Sequence, residues 1–142
     1  ACSFVSMYVI RVLLRPVILK GEIPVVMDMT IPTVKSKIIG VATLNYSLLA
    51  PKGTIKDVDS LSLFFSTDKG SFETENNELL FVEGRGKDEI EIRITSVLSL
   101  SSTLSLMESS SIEVSLKADS YTYSLDSDLF ISSLENTKDY LL

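Results

Sequence analysis

The chain is predicted to be all-β: an immunoglobulin-like antiparallel β-sandwich with one short helix. Three observations predict it. Apolar residues alternate at period two through most of the 142 residues, the pattern of strands with a buried face. Turn formers such as Ala50-Pro51-Lys52-Gly53 and Gly84-Arg85-Gly86-Lys87 interrupt that alternation, as hairpin connections require. Only one stretch, Thr95 to Glu108, changes to helical spacing. Apolar residues make up 45% and charged residues 23% of the chain, which suits one globular core, and no repeat or linker divides residues 1–142.

The N-terminal strand, Ser3 to Leu14 within residues 1–15, has Phe4, Tyr8, Ile10, Val12 and Leu14 on one face and Val5, Met7, Val9 and Leu13 on the other. A strand apolar on both faces is expected to be covered on both. It is open to pairing in its own chain or to exchange with a neighbour. Arg15-Pro16 to Gly21 reads as a connection in which Val17 to Leu19 pair briefly. Ile23 to Ile31 follows, with Val25, Met27, Met29 and Ile31 inward and Pro32 closing it. Lys37 to Leu49 aligns Ile38, Gly40, Ala42, Leu44, Tyr46 and Leu48.

Val58 to Ser66 puts Leu61, Leu63 and Phe65 in register. Thr67 to Glu78 is polar and acidic, an exposed loop or a loosely held hairpin, and Leu79 to Glu83 is a short strand. Asp88 to Thr95 has Ile90, Ile92 and Ile94 inward, with Glu89, Glu91 and Arg93 outward. Val97, Leu100, Leu104 and Met107 then form one helical stripe, ended by Ser109-Ser110-Ser111. Ile112, Val114 and Leu116 resume the alternation. Tyr121 to Leu125 and Asp128 to Leu134 are read as further strands, and residues 135–142 as a frayed tail.

Composition removes most catalytic chemistries. There is no His and no Trp, and Cys2 is the lone cysteine. The commonest general base, Ser–His or Cys–His nucleophiles and Cys/His zinc sites are therefore absent from this sequence. No disulfide within the chain is possible. A net charge of −6 opposes nucleic-acid binding, which needs clustered cations. The run from Phe4 to Leu19 is interrupted by Arg11, Arg15 and Pro16, too short and too charged to span a bilayer. A mean hydropathy of +0.29 fits either a large core or an added interface. The initial Ala1 is compatible with loss of a start Met or of a secretory signal.

The acidic pairs Asp57/Asp59, Glu73/Glu75, Glu89/Glu91 and Asp126/Asp128 are spaced i, i+2, which on a strand places both members on one wet face and not across a substrate. Asp126-Ser127-Asp128, and the loop carrying Asp68, Glu73, Glu75, Asn76, Asn77 and Glu78, offer hard oxygens suited to calcium. Neither has the spacing of an EF-hand loop, and both read as solvated acidic segments. Gly84-Arg85-Gly86-Lys87 lacks the spacing and following Ser or Thr of a phosphate loop and reads as a hairpin turn. Asn45-Tyr46-Ser47 is a glycosylation sequon in a secreted chain, inside a predicted strand. No catalytic residue, cofactor or metal ligand is assigned.

From Ser6 to about Leu134 the order of elements resembles the group-two late embryogenesis abundant proteins, with their water-stress-and-hypersensitive-response domain. The likeness is carried by Met29-Thr30-Ile31-Pro32, by Leu44-Asn45-Tyr46-Ser47-Leu48, by Ile90-Glu91-Ile92-Arg93-Ile94 leading into a helix, and by Ile112-Glu113-Val114-Ser115-Leu116-Lys117 after it. Ile31-Pro32-Thr33 stands where the family has Asn-Pro-Asn, and Val58 to Gly86 is longer than its usual middle. The resemblance implies a non-catalytic β-sandwich linked to stress tolerance or partner binding. The alternative is a secreted subunit of a cell-surface filament, assembled by N-terminal donor-strand exchange. Both make the partner a protein, either another chain or a second copy. A cell-surface location fits the alternative, and the compartment is otherwise open.

Overall fold

The computed structural model describes residues 5–16 and 23–141. In chain order the strands are β1 (Val5–Leu14), β2 (Val25–Val34), β3 (Lys37–Ile38), β4 (Ala42–Pro51), β5 (Ser62–Thr67), β6 (Gly70–Glu73), β7 (Glu75–Arg85), β8 (Glu89–Leu98), β9 (Ile112–Ala118) and β10 (Tyr121–Leu125). Helix α1 (Leu100–Glu108) lies between β8 and β9, and helix α2 (Asp128–Leu141) follows β10. The fold is all-β, a sandwich of two antiparallel sheets. The six-stranded sheet runs β1-β2-β4-β8-β7, with β3 attached to β2, and the four-stranded sheet runs β10-β9-β5-β6.

The core lies between the sheets, where the predicted inward faces meet. Val25, Met27, Met29 and Ile31 of β2, Leu44, Tyr46 and Leu48 of β4, and Ile92 and Ile94 of β8 face Leu63 and Phe65 of β5 and Val114 and Leu116 of β9, all buried. Burying each such side chain contributes about 1.5–3 kcal/mol. The polar alternates sit on the outer faces, so a register slip by one residue would invert every side chain.

Several expectations are corrected. Asp128 to Leu134 is not a strand and residues 135–142 are not a frayed tail, because α2 runs from Asp128 to Leu141. Phe130, Leu134 and Thr137 are buried, a four-then-three spacing that becomes visible only when residues beyond Leu134 are counted in the helix. Among the described residues there are thus two short helices, not one. The other helix begins later than Thr95: Val97 stays in β8, paired with Thr43 and Glu75. Ser99 caps α1 by accepting from the Ser102 N–H at 3.1 Å, satisfying an otherwise orphaned donor. The helix buries Thr103, Leu106 and Met107, while Leu100 and Leu104 are exposed.

Pro32 does not close β2, which continues to Val34. The Pro32 carbonyl accepts from the Ile39 N–H at 3.1 Å, so its missing donor faces away from β1, past the last β2–β4 pair at Thr30 and Thr43. The Lys37 to Leu49 strand is two strands, broken at residues 39–41. Val58 to Ser66 opens with a one-turn 3-10 helix, Val58–Ser60, before β5. Thr67 to Glu78 contains the β5–β6 hairpin, and β7 is long, from Glu75 to Arg85, where only Leu79 to Glu83 was expected. Val17 to Leu19, Cys2, Phe4 and the Val5 side chain lie outside the described residues.

Candidate interaction surface

β1 pairs with β2 over ten residue pairs, from Val5↔Val34 to Leu14↔Val25. Its even residues Ile10, Val12 and Leu14 are buried. The odd residues are not covered, contrary to the expectation for a strand apolar on both faces. Met7 is 60% exposed, Val9 58% and Leu13 37%, and Val26, paired with Leu13 on β2, is 40% exposed. Strand alternation places these four on the outer face of the six-stranded sheet. The residue rows there are Leu13–Val26–Ser47–Arg93, Arg11–Asp28–Asn45–Thr95 and Val9–Thr30–Thr43–Val97.

A charged network crosses this face. Asp28 Oδ1 accepts from Arg11 Nε at 2.5 Å, and Asp28 Oδ2 from Arg93 Nη2 at 3.1 Å. Arg93 Nη1 also donates to Ser47 Oγ at 2.6 Å. Partial burial pushes the Asp28 carboxyl upward, but hydrogen bonds and positive charge from Arg11 and Arg93 outweigh it and hold the pKa below the ordinary value of 3.8. Beside the network, Leu13, Pro24, Val26 and Leu49 line a depression of about 440 Å³ with the Arg85–Glu91 ion pair in its wall. Apolar side chains around a shallow depression, edged by fixed charges, make this face a candidate interaction surface.

The residues singled out from sequence have other roles. Asp57 caps the 3-10 turn, its Oδ1 accepting from the Asp59 N–H at 3.0 Å. Glu73 accepts from Ser62 Oγ at 2.9 Å and lies 3.8 Å from Lys117 Nζ. Glu91 pairs with Arg85, while Glu89 and Glu75 are exposed. Asp126 Oδ1 accepts from the Asp128 N–H at 2.9 Å where α2 begins.

Asp68 Oδ1 accepts from the Ser110 and Ser111 N–H groups at 2.9 and 3.1 Å, which ties the β5–β6 turn to the start of β9. That bonding, Ser111 foremost, lowers the Asp68 pKa. Among the described residues, no three or more Asp, Glu or Cys side chains are grouped to hold a metal ion. Gly86, with φ 68°, forms the β7–β8 turn, the hairpin expected there.

A polar cleft of about 830 Å³ is lined by Asp59, Ser62, Phe72, Glu73, Glu75 and Asn77, among others. Its side chains largely bond one another. Tyr46 Oη and Thr74 Oγ1 donate to Asn77 Oδ1 at 3.2 and 2.8 Å, and Asn77 Nδ2 donates to the Thr74 carbonyl at 3.0 Å. Burial drives the Tyr46 pKa well above the ordinary value of 10. This cluster clamps the β6–β7 crossover to the core.

Asn45 of the sequon sits on β4 between Asp28 and Thr95, with Oδ1 buried and unpartnered. Sequence reasoning missed the Arg11–Asp28–Arg93 network, which joins residues from three strands. It also missed Asp119, whose carboxylate accepts from the Lys56 and Asp57 N–H groups. Local spacing carries no signal for either.

Among the described residues no helix is long and apolar enough to cross a membrane. No protein-family model, curated protein or solved structure matches the chain.

Proposed function

We propose that this chain is a non-enzymatic interaction domain of the stress-tolerance kind, which covers apolar segments of other proteins with the outer face of its six-stranded sheet. The observation that carries the reading is the exposure of Met7 and Val9 on one side of the Arg11–Asp28 pair and of Leu13 and Val26, which line an apolar depression, on the other. Contiguous exposed apolar surface is costly for a chain to keep unless it is used. The Arg11–Asp28–Arg93 network holds the polar groups among these side chains in fixed places, so a partner meets a preorganised surface.

The test is suppression of aggregation of a heat-labile client enzyme. Wild type is expected to keep the client in solution. Val9→Asp with Val26→Asp is expected to abolish that protection while leaving the unfolding temperature nearly unchanged, since both positions are exposed. Equal protection by the double variant would overturn the reading.

The filament alternative is favoured by a different observation. β1 is an edge strand whose only strand partner among the described residues is β2, so a single ladder holds the segment that exchange would release. Pull-down between two differently tagged copies after partial unfolding tests it. Exchange requires a mixed product that survives dilution.

A further inference from the structure

The six-stranded sheet ends in β1 on one side and β7 on the other, and the main chain shows which backbone groups each edge offers. In a strand, the N–H and C=O of one residue point to the same side. The Pro32 carbonyl bonds away from β1, to the Ile39 N–H. Its β1 partner Met7, and with it Val9, Arg11 and Leu13, therefore turn their N–H and C=O to the free side. Beyond Leu13 that side is taken, because the Arg15 carbonyl accepts from the Asp126 N–H at 2.7 Å and Pro16 bridges Leu125. On the opposite edge, the Asp88 carbonyl bonds toward β4 through the Lys52 N–H. Even-numbered β8 residues thus serve β4, and Val82 and Gly84, opposite Ile92 and Ile90, present their own groups outward.

The two edges are chemically opposite. Arg11, held by Asp28, is the one charged residue of β1 and Arg15 follows it directly, whereas β7 carries Glu75, Glu78 and Glu83 against Arg85 alone. Both edges are apolar as well: Met7 and Val9 are exposed on β1, and Leu79, Leu80 and Val82 on β7. Leu79 and Val82 lie opposite the inward-facing Ile94 and Ile92, so the inner face of the sheet is uncovered along β7. Pairing β1 with β1, or β7 with β7, would set like charges together, which is unfavourable across strands. Pairing β1 with β7 sets opposite charges together.

Four antiparallel steps separate β1 from β7, so the two strands run in the same direction, and their lengths of 10 and 11 residues match. We propose that the chain associates head to tail, the Met7–Leu13 edge of one copy adding in parallel to the β7 edge of the next while β1 stays in its own sheet. Helix α2, which packs beside β1 and exposes Leu129, travels with it toward the uncovered Leu79 and Val82. Each addition leaves one free β1 and one free β7, so further copies can add, to an open filament or, where the rotation per copy closes, to a ring. This rests on the backbone groups of the sheet edges; Met7 and Val9 belong to the proposed client surface as well, so the test reads self-association with no client present.

Val9→Pro and Val82→Pro test it by sedimentation velocity. Each removes one outward-facing N–H and no bond within its own sheet. Wild type is expected to form concentration-dependent polymers that shorten as salt rises. Each variant alone is expected to be monomeric, because one edge is blocked. An equimolar mixture is expected to give a dimer and nothing larger, since the two intact edges meet and both ends are then capped.

A wild type that stays monomeric at its highest soluble concentration overturns the proposal. So does a dimer formed by either variant alone, the mark of a two-fold β7–β7 or β1–β1 contact, and so does a mixture that stays monomeric. Circular dichroism verifies folding of each variant, and Val9→Glu with Val82→Lys, each setting like charges across the junction, serve in the same mixing scheme if a proline variant unfolds.

Discussion

Phe130 is where the docking of α2 is most directly tested. Its side chain is fully buried, in the same cluster as Ile10, Val12 and Leu14 of β1, and its ring lies 5.9 Å from that of Phe65 at 48°. Phe130→Ala removes the ring and leaves a cavity between helix and sheets that neither can collapse to fill, a change that costs about 3–5 kcal/mol. The lost ring pair accounts for about 0.5–1.5 kcal/mol of that. A domain of this kind has a total stability of about 5–15 kcal/mol, so the variant should fold, with a marked loss.

At roughly 2–4 °C per kcal/mol for a chain of this size, the midpoint should fall by roughly 6–20 °C. Leu129→Ala is the control. That side chain is 55% exposed, and its loss should change stability by no more than about 0.5 kcal/mol. Calorimetry and urea unfolding of both variants give the two costs. Equal costs, or a Phe130→Ala cost below about 1 kcal/mol, would refute the docking of α2 through Phe130.

Two further outcomes follow from the polar groups. Asn77→Ala should cost about 1–3 kcal/mol in urea unfolding, because it removes the acceptor shared by the Tyr46 and Thr74 hydroxyls. Tyr46→Phe should cost less, about 0.5–1.5 kcal/mol, because Asn77 Oδ1 still accepts from Thr74. The reverse order would mean that the clamp is not organised around Asn77. Asp28 governs part of the acid limb. Its folded pKa lies below 3.8, so its contribution to stability is complete above that value and is lost as pH falls through the lower folded value. In urea midpoints measured against pH, Asp28→Asn should lie below wild type by a constant amount near neutrality, and the two curves should converge under acid. Parallel curves throughout would show that Asp28 gains nothing from its arginines.

The sequence by itself determined most of the strands and which way most of their residues face. Alternation such as Ile90, Ile92 and Ile94 is a local record of burial, since one face of a strand is either covered or wet. The missing His and the single Cys likewise removed whole chemistries without any structure. Only the tertiary structure decided three things. It made α2 a helix, because the stripe of Phe130, Leu134 and Thr137 gains stability only when docked beside β1. It left Met7, Val9 and Leu13 exposed, because they lie on the sheet face turned away from the second sheet, and no other layer of the described residues covers that face. It also assembled Arg11, Asp28 and Arg93 from β1, β2 and β8 on one sheet face, Arg93 being distant in sequence and reaching Asp28 across β4. Burial is written residue by residue along a strand, whereas adjacency between strands is a property of the closed sandwich, and the candidate surface consists almost wholly of the second.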